Sequence, residues 1–444
     1  MLQVIQSMYM DLLSYRGERP QIGCAGWSGV YNRNLAKGGR IEMAFREWAL
    51  SRRKWMTALG AGAALVGRAR AQFQIPTPPS GKNMTGIEPD QLLLKDYRPK
   101  SLFKVPQTEI TKAKYPVIDV HCHGIRPADQ MDRYIRLMDR AGVEKTVIFT
   151  GANNAERFTQ VKSAYAKYAG RFDFWCTLDF TGSDDAGFGP NAVKALEECH
   201  RAGATGVGEL SDKGMGLGRS VGDGPPGWPG GSVQSKTMGP HADDPRLDAV
   251  WEKCAQLGMP VNMHVSNIIW VYYPQDYQND GLMNEFVWRL DNKPGILGHD
   301  GLIQSMERMV ARHAKTTFIF CHFANLDYDF TRLSGLLDKY PNMFVDNAAQ
   351  YAETAATPRA AAAFYQKYAD RILYGTDMPY HERMFGTTFR ILESLDEHFY
   401  EQDLYFNFNY HWPMHGFGLP DDVLRKVYSE NAKRVFERAK TGAA

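Results

Sequence analysis

Eight short apolar runs, rich in β-branched and aromatic residues and separated by amphipathic stretches, constrain this chain more than any other feature. They are "YPVIDVHCH" from Tyr115, "VEKTVIFTG" from Val143, "FDFWCTLDF" from Phe172, "GATGVGEL" from Gly203, "MPVNMHVS" from Met259, "TTFIFCHFAN" from Thr316, "NMFVDNAAQ" from Asn342 and "RILYGTDMP" from Arg371. Runs of this length and composition suit strands buried on both faces, as in a parallel sheet. Helical segments lie between them. "PADQMDRYIRLMDRAG" places Met131, Tyr134, Ile135 and Met138 on one face and closes at Gly142. "PNAVKALEECHRAG", "DPRLDAVWEKCAQLG" and "TPRAAAAFYQKYAD" follow the same scheme, with Pro near the start or Gly at the end. Eight strand signals alternating with helices predict an α/β fold of the (β/α)8 TIM-barrel type over residues 115–440. A doubly wound open sheet is the alternative.

Two long insertions interrupt the rhythm, one after the fourth strand (211–244, rich in Gly and Pro) and one after the fifth (267–300, aromatic). Both leave the C-terminal ends of strands, the face on which barrels build their sites. The aromatic one reads as a lid, the other as an excursion.

The N-terminal region differs from the rest. Residues 1–71 hold 11 Lys/Arg against 4 Asp/Glu, so the formal net charge of +2 hides a mildly acidic remainder. That balance gives no electrostatic reason to expect a nucleic-acid partner. Arg52 and Arg53 precede a 13-residue apolar stretch, Trp55 to Gly67, followed by Ala69-Arg70-Ala71. This is the order of a secretory signal, and the paired arginines resemble a twin-arginine export signal. The stretch is too short for a stable membrane span of roughly 30 Å. The expectation is a leader over 1–71 handled by the twin-arginine export machinery, cleavage near Ala71, and a periplasmic or secreted product; a basic amphipathic helix is the alternative. Residues 72–114 read as an N-terminal extension or linker. Without the leader's Cys24, five scattered cysteines remain, which do not read as a disulfide framework.

The chemistry concentrates at strand ends. On an alternating strand, His121 and His123 point one way and Cys122 the other, and two imidazoles so placed can converge on one divalent ion. Alone, such a pair is as easily two surface histidines. However, "VNMHVS" puts His264 at the end of the fifth strand, "FCHFAN" puts His322 at the end of the sixth, and "YGTDMP" puts Asp377 at the end of the eighth. Asp119 has the parity of the histidine pair one step deeper, and Asn262 stands likewise to His264; both fit orienting roles or plain barrel filling. Glu209, in "GVGEL" on strand four, fits contact with substrate, support of a ligand, or a bridge to a second ion. Arg126, His241, His299, His381, Trp270 and Tyr272 are loop residues better suited to lid packing or solvent.

"DVHCH", the later histidines, "ILYGTDMP" and the closing "LPDDVLRKVYSENAKRVF" together resemble the amidohydrolase superfamily, in the form that includes aminocarboxymuconate-semialdehyde decarboxylase. The resemblance spans Val117 to Phe436 and lacks the strand-four lysine of binuclear members. It implies His121, His123 and His264 as metal ligands, with Asp377 as a fourth ligand and proton acceptor. His322 would polarise the substrate or orient water. Three nitrogens, a carboxylate and an open position suit one Zn2+ ion, with Mn2+ or a second ion as alternatives. The implied activity is hydrolysis of a small-molecule amide, ester or lactone; the alternative is non-oxidative decarboxylation of an aromatic or unsaturated acid. Relatives of this kind often form homodimers.

Overall fold

A computed structural model describes residues 91–124, 130–224, 233–377, 382–401 and 411–441. The chain divides into two units, Met1–Gly86 and Ile87–Ala444, and the described residues belong to the second. The expected leader, residues 72–90 of the extension, Arg126 and His381 lie outside the described residues.

Each of the eight apolar runs forms a strand: β1 Val117–Cys122, β2 Val143–Phe149, β3 Phe172–Cys176, β4 Gly206–Asp212, β5 Val261–Val265, β6 Phe318–Phe320, β7 Met343–Asp346 and β8 Ile372–Leu373. They pair in sequence order, all parallel. Beyond β8 the chain continues along β1, with Val120 N–H donating to Tyr374 O and Asp377 N–H donating to His121 O, both at 2.9 Å. Those bonds bring the last strand round to the first, giving a nearly closed (β/α)8 barrel.

The barrel interior is apolar below and polar above. Ile118, Val120, Val147, Phe149, Trp175, Ile319, Phe344 and Leu373 form the inner cluster, and Ala432 and Val435 of the terminal helix Asn431–Thr441 join it. Gly206 makes room for the Trp175 indole, because a Cβ there would stand 2.3 Å from the ring. The surrounding helices pack on the outer strand faces. In Met131–Ala141, the side chains of Met131, Tyr134, Ile135 and Met138 are buried, and Gly142 ends the helix at φ +80°.

β1 departs from simple alternation. Its pairing with β2 shifts register between Asp119 and Cys122. Ile118 and Val120 therefore face inward in the lower part, yet His121 reaches the interior above them, with its ring 5.0 Å from that of Phe149. Asp119 does not share the face of the imidazoles. It lies in electrostatic reach of Cys122 and Tyr134, on the side of the helices. A bulge inserts one residue and reverses parity, which strict alternation cannot register.

The long insertions pack together. Met215 and Val221 from the first form a small separate core with Ile268, Val271, Trp288 and Leu290 from the second. Asp212 Oδ1 accepts from the N–H groups of Gly214 and Gly216 at 3.0 Å each, which starts the first loop. The described part of the first loop is thus anchored, and the second carries short helical turns at Ile269–Tyr272, Leu282–Glu285 and Phe286–Trp288. The described part of the N-terminal extension also lies tied down: Thr108 Oγ1 donates to Asp396 at 2.8 Å. Cys122, Cys176, Cys199, Cys254 and Cys321 are free and buried. Among the described residues no helix is long and apolar enough to cross a membrane.

Candidate metal-binding active site

At the C-terminal end of the barrel, β1 delivers His121, with His123 just past its last residue, β4 delivers Glu209 and β5 His264. His322 follows the end of β6, and Asp377 follows β8. Ligand atoms of His121, His123 and Asp377 all lie within 4.8 Å of one another. Asp377 Oδ1 is 3.0 Å from His123 Nε2 and 3.4 Å from His121 Nε2. A second group with the same spacing joins His121, Glu209, Cys321 and His322. His264 is in neither group: its Nδ1 lies 2.9 Å from Glu209 Oε1, and its ring 4.6 Å from that of His322.

Glu209 is more central than strand position alone indicated. Its carboxylate meets His123 at 3.1 Å, His264 at 2.9 Å and His322 at 3.8 Å. Burial pushes this carboxyl upward, but hydrogen bonding with those three histidines outweighs it and holds Glu209 well below the usual carboxylate range. The same balance holds at Asp377, where burial is overcome by His121 and His123. For His121, burial disfavours the proton, yet the charge of Asp346 raises it well above an ordinary imidazole. The proton on His123 is likewise disfavoured by burial and retained by Asp377 and Glu209, although half of that side chain meets solvent and is screened. His264 moves the other way, down to about 4, through burial and the nearby charge of His322.

Tutored by their partners, the rings present defined nitrogens. His121 Nδ1 lies 3.0 Å from Asp346 Oδ2, an oxygen that can only accept from it while ionised, so Nδ1 keeps its proton and Nε2 is the nitrogen that would give up its own to bind a cation. That Nε2 is buried with no hydrogen-bond partner, and so is His264 Nε2. Buried, unpartnered ring nitrogens backed by a carboxylate on the opposite nitrogen are what a metal ligand requires. The donor set of imidazoles and carboxylates suits a divalent ion. His121, His123 and Asp377 could hold it, with Glu209 close enough to take part. His322 Nδ1 lies 2.6 Å from Ala348 O, which only accepts, so its Nε2 faces the site and donates only as an imidazolium.

Asp346 is the residue that strand assignment passed over. Buried at the end of β7, it also accepts from Asn262 Nδ2 at 3.1 Å and from His322 N–H at 3.0 Å, linking two histidines. A lone Asp ending an apolar run was the available signal. Asn262 therefore acts on His121 through Asp346, and Cys321 Sγ donates to Asn262 Oδ1. Asp119 supports backbone instead of a ring: its carboxylate accepts from His121 N–H, Thr376 N–H and Thr376 Oγ1. Burial pushes its carboxyl up to about 7.

The loop residues sort cleanly. His241 pairs with Asp212 at 2.8 Å. His299 is buried between Ser266 Oγ and Tyr328 OH, and Tyr272 OH reaches the same Ser266. Trp270 lies against Trp412, with ring centroids 5.5 Å apart and the planes tilted by 48°. A cleft of about 190 Å³ opens beside His123, lined by Phe149, Thr150, Arg157, Gln160 and Tyr165 among others.

Among curated proteins, none matches the sequence. Solved structures similar to it include a putative amidohydrolase from Staphylococcus aureus, with 15% identity, TM-score 0.45, and coverage of 73% of this chain and 99% of that one. A 2,6-dihydroxybenzoate decarboxylase complexed with 2,6-dihydroxybenzoate has 16% identity and TM-score 0.40, covering 73% and 99%. A 4-oxalomesaconate hydratase from Rhodopseudomonas palustris has 14% identity and TM-score 0.43, covering 73% and 97%. The family model described as Amidohydrolase matches residues 118–438, nearly the whole barrel. The chain belongs to the amidohydrolase family.

Proposed function

We propose that this protein is a metal-dependent hydrolase of an amide, ester or lactone. The observation that carries the reading is the meeting of His121, His123 and Asp377 within 4.8 Å at the barrel mouth, beside a buried His121 Nε2 that lacks a hydrogen-bond partner. His121, His123 and Asp377 would hold a divalent ion, with imidazole and carboxylate donors that suit Zn2+, and it would supply Lewis acidity toward a carbonyl and toward water. Asp377, whose Oδ1 stands 3.0 Å from His123 Nε2 and 3.4 Å from His121 Nε2, is the carboxylate placed to accept a proton there. Glu209, fixed by three histidines, adds a second carboxylate that can orient a water or a substrate N–H. His322 can stabilise negative charge through Nε2 only with both nitrogens protonated, because Nδ1 is turned to Ala348 O.

The reading is tested by metal analysis of the purified protein and by assays on a panel of lactones, esters and acyl amides. Asp377→Asn is expected to lower kcat by about 10²–10⁴-fold. Full activity in that variant would remove Asp377 from proton transfer.

Arg157 favours a second reading. It lines the cleft beside His123 and could clamp a substrate carboxylate, as decarboxylation of an aromatic or unsaturated acid needs. Its guanidinium already donates to Gln160 at 2.6 Å, and the carboxylates of Glu209 and Asp377 oppose an anion. Release of carbon dioxide from candidate acids, lost in Arg157→Gln, would establish this reading over hydrolysis.

Export is part of the proposal. The twin arginines and the apolar stretch before Ala71 support it. Arg52→Lys with Arg53→Lys is expected to leave unprocessed protein in the cytoplasm, whereas the wild type yields a periplasmic form beginning at Gln72.

A further inference from the structure

The cleft beside His123 takes its walls from one strand end and one helix face. Ile148 and Phe149 come from the end of β2. Arg157, Gln160, Val161 and Ala164 follow at spacings of three and four, so one side of the helix Ala155–Ser163 and its cap turns to the same space. That helix buries Phe158, whereas Val161 is half covered and Arg157, Gln160 and Ala164 stand exposed. Gly124 and Tyr165 complete the lining. A Cβ on Gly124 would come to 3.3 Å from Tyr165 Oη and 3.7 Å from Ile148 Cγ2, so the glycine keeps the space between them open. His123 belongs to the cleft and to the metal site at once: half of its side chain is exposed, and its Nε2 lies 3.0 Å from Asp377 Oδ1. A group held in the cleft therefore touches a residue that also meets the reacting centre.

The lining sets the chemistry of that group. Ile148, Phe149, Val161, Ala164 and the ring of Tyr165 make the walls apolar. The volume of about 190 Å³ exceeds the roughly 150 Å³ of an apolar cavity that takes up benzene, so one ring with a small substituent fits. Thr150 is turned to the backbone: its Oγ1 donates to Trp175 O at 2.8 Å and accepts from Ala152 N–H at 3.2 Å. Arg157 and Gln160 are then the polar groups that read a ligand. The guanidinium donates to Gln160 Oε1 at 2.6 Å, which occupies the amide oxygen and leaves the pair presenting donors. Among the described residues Arg157 forms no ion pair, and its side-chain partner is this neutral amide. A guanidinium so placed suits a carboxylate, which accepts two parallel N–H bonds. Glu209 and Asp377, which oppose an anion at the metal, do not line the cleft.

We propose that this cleft is a specificity subsite: it holds an apolar arm of the substrate, about one ring in bulk, and Arg157 with Gln160 binds a carboxylate at the end of that arm. The carboxylate is a handle and takes no part in the reaction. This deepens the hydrolase reading and rests on it for the reacting bond: the substrate class becomes amides, esters or lactones that carry an anionic, ring-sized arm.

Two measurements on the metal-loaded full chain test the proposal. In the first, benzenesulfonate, benzyl alcohol, benzylammonium and methanesulfonate are titrated calorimetrically; a sulfonate replaces the carboxylate because it is the poorer metal ligand. Benzenesulfonate should bind at least about tenfold tighter than each of the others. Arg157→Gln should remove its lead over benzyl alcohol, Arg157→Lys should keep part of it, and Ala164→Trp, which adds an indole to the wall, should weaken both ring compounds. Methanesulfonate binding as tightly as benzenesulfonate, or affinities unchanged in all three variants, overturns the proposal. In the second, kcat/KM is compared in two ester series. The ring lies on the acyl side in monomethyl terephthalate and methyl benzoate, and on the alcohol side in 4-acetoxybenzoate and phenyl acetate. In at least one series the carboxylate-bearing ester should lead by at least about tenfold, through a lower KM, and Arg157→Gln should abolish the lead. A lead in neither series, or one that survives in the variant, overturns the proposal. Benzenesulfonate binding with the expected variant effects, but no hydrolysis of any ester, amide or lactone, upholds the subsite and sinks the hydrolase reading. Hydrolysis indifferent to ring and charge does the reverse. Carbon dioxide release that is lost in Arg157→Gln assigns the guanidinium to a reacting carboxylate and overturns the proposal. Arg157 and Ala164 are exposed, so melting temperatures near wild type should show that the variants fold.

Discussion

Asp346 accepts from His121 Nδ1, Asn262 Nδ2 and the N–H of His322 at 3.0–3.1 Å, so one buried carboxylate sets the orientation of two histidines. Its removal should act on metal affinity before it acts on the fold. Asp346→Asn is expected to weaken Zn2+ binding about 10–100-fold by isothermal titration; unchanged affinity would reduce Asp346 to barrel filling. Gly375 has a different role. A Cβ there would stand 2.8 Å from His121 Cβ and 3.2 Å from Ala348 Cβ, so the glycine is needed for close approach. Gly375→Ala should cost about 1–3 kcal/mol in denaturant unfolding by overpacking. It should also lower metal affinity, because the side chain most easily displaced is the ligand itself.

The segment His322–Asn325 shows how an element aims a side chain. β6 ends at Phe320, and His322, Phe323, Ala324 and Asn325 then adopt φ of +53° to +57° in succession. None is glycine, and left-handed backbone costs such residues roughly 1–2 kcal/mol each. The turn is held by His322 N–H to Asp346 and by Asn325 Nδ2 to Val265 O at 3.0 Å. Strain of this kind survives only where its surroundings enforce it. Asn325→Ala removes both the bond and the residue type most tolerant of this conformation. We expect a loss of about 1–3 kcal/mol and a lower kcat through displacement of His322; a normal kcat would show that the turn holds without it. The paired long loops form a second element-level unit. Leu290→Ala opens a cavity in their small core and should cost about 2–5 kcal/mol locally. Hydrogen exchange should then quicken in both loops together, and exchange confined to the second loop would refute their coupling.

For the molecule as a whole, His299 ties the second long loop to the barrel through Ser266 and Tyr328. Burial, followed by the charge of Arg332, pushes its imidazole down to about 4. The unfolded chain, with an ordinary histidine near 6.5, binds the proton more readily between those values. Stability from this group is therefore complete above about pH 6.5 and is lost as pH falls toward 4, by about 3 kcal/mol in all. Measured unfolding free energies of wild type and His299→Gln should converge as pH falls through that window. Parallel curves would show that His299 does not titrate with folding.

The barrel was legible in the sequence because strands and helices announce themselves by local composition and period, and all eight apolar runs became strands. His121, His123, His264, His322 and Asp377 were visible for a related reason: a polar residue ending an apolar run is conspicuous. Other features depend on what comes from elsewhere in the chain. The bulge in β1 that turned Asp119 from the imidazoles is a mismatch with β2, and neither strand alone records it. Asp346 matters because folding puts it behind a ring 225 residues away. Glu209 stands amid three histidines from three other strands. Periodicity is a property of neighbours along the chain, whereas charge and hydrogen bonding act through space, so architecture could be read in advance and the electrostatics of the site arose with closure of the barrel.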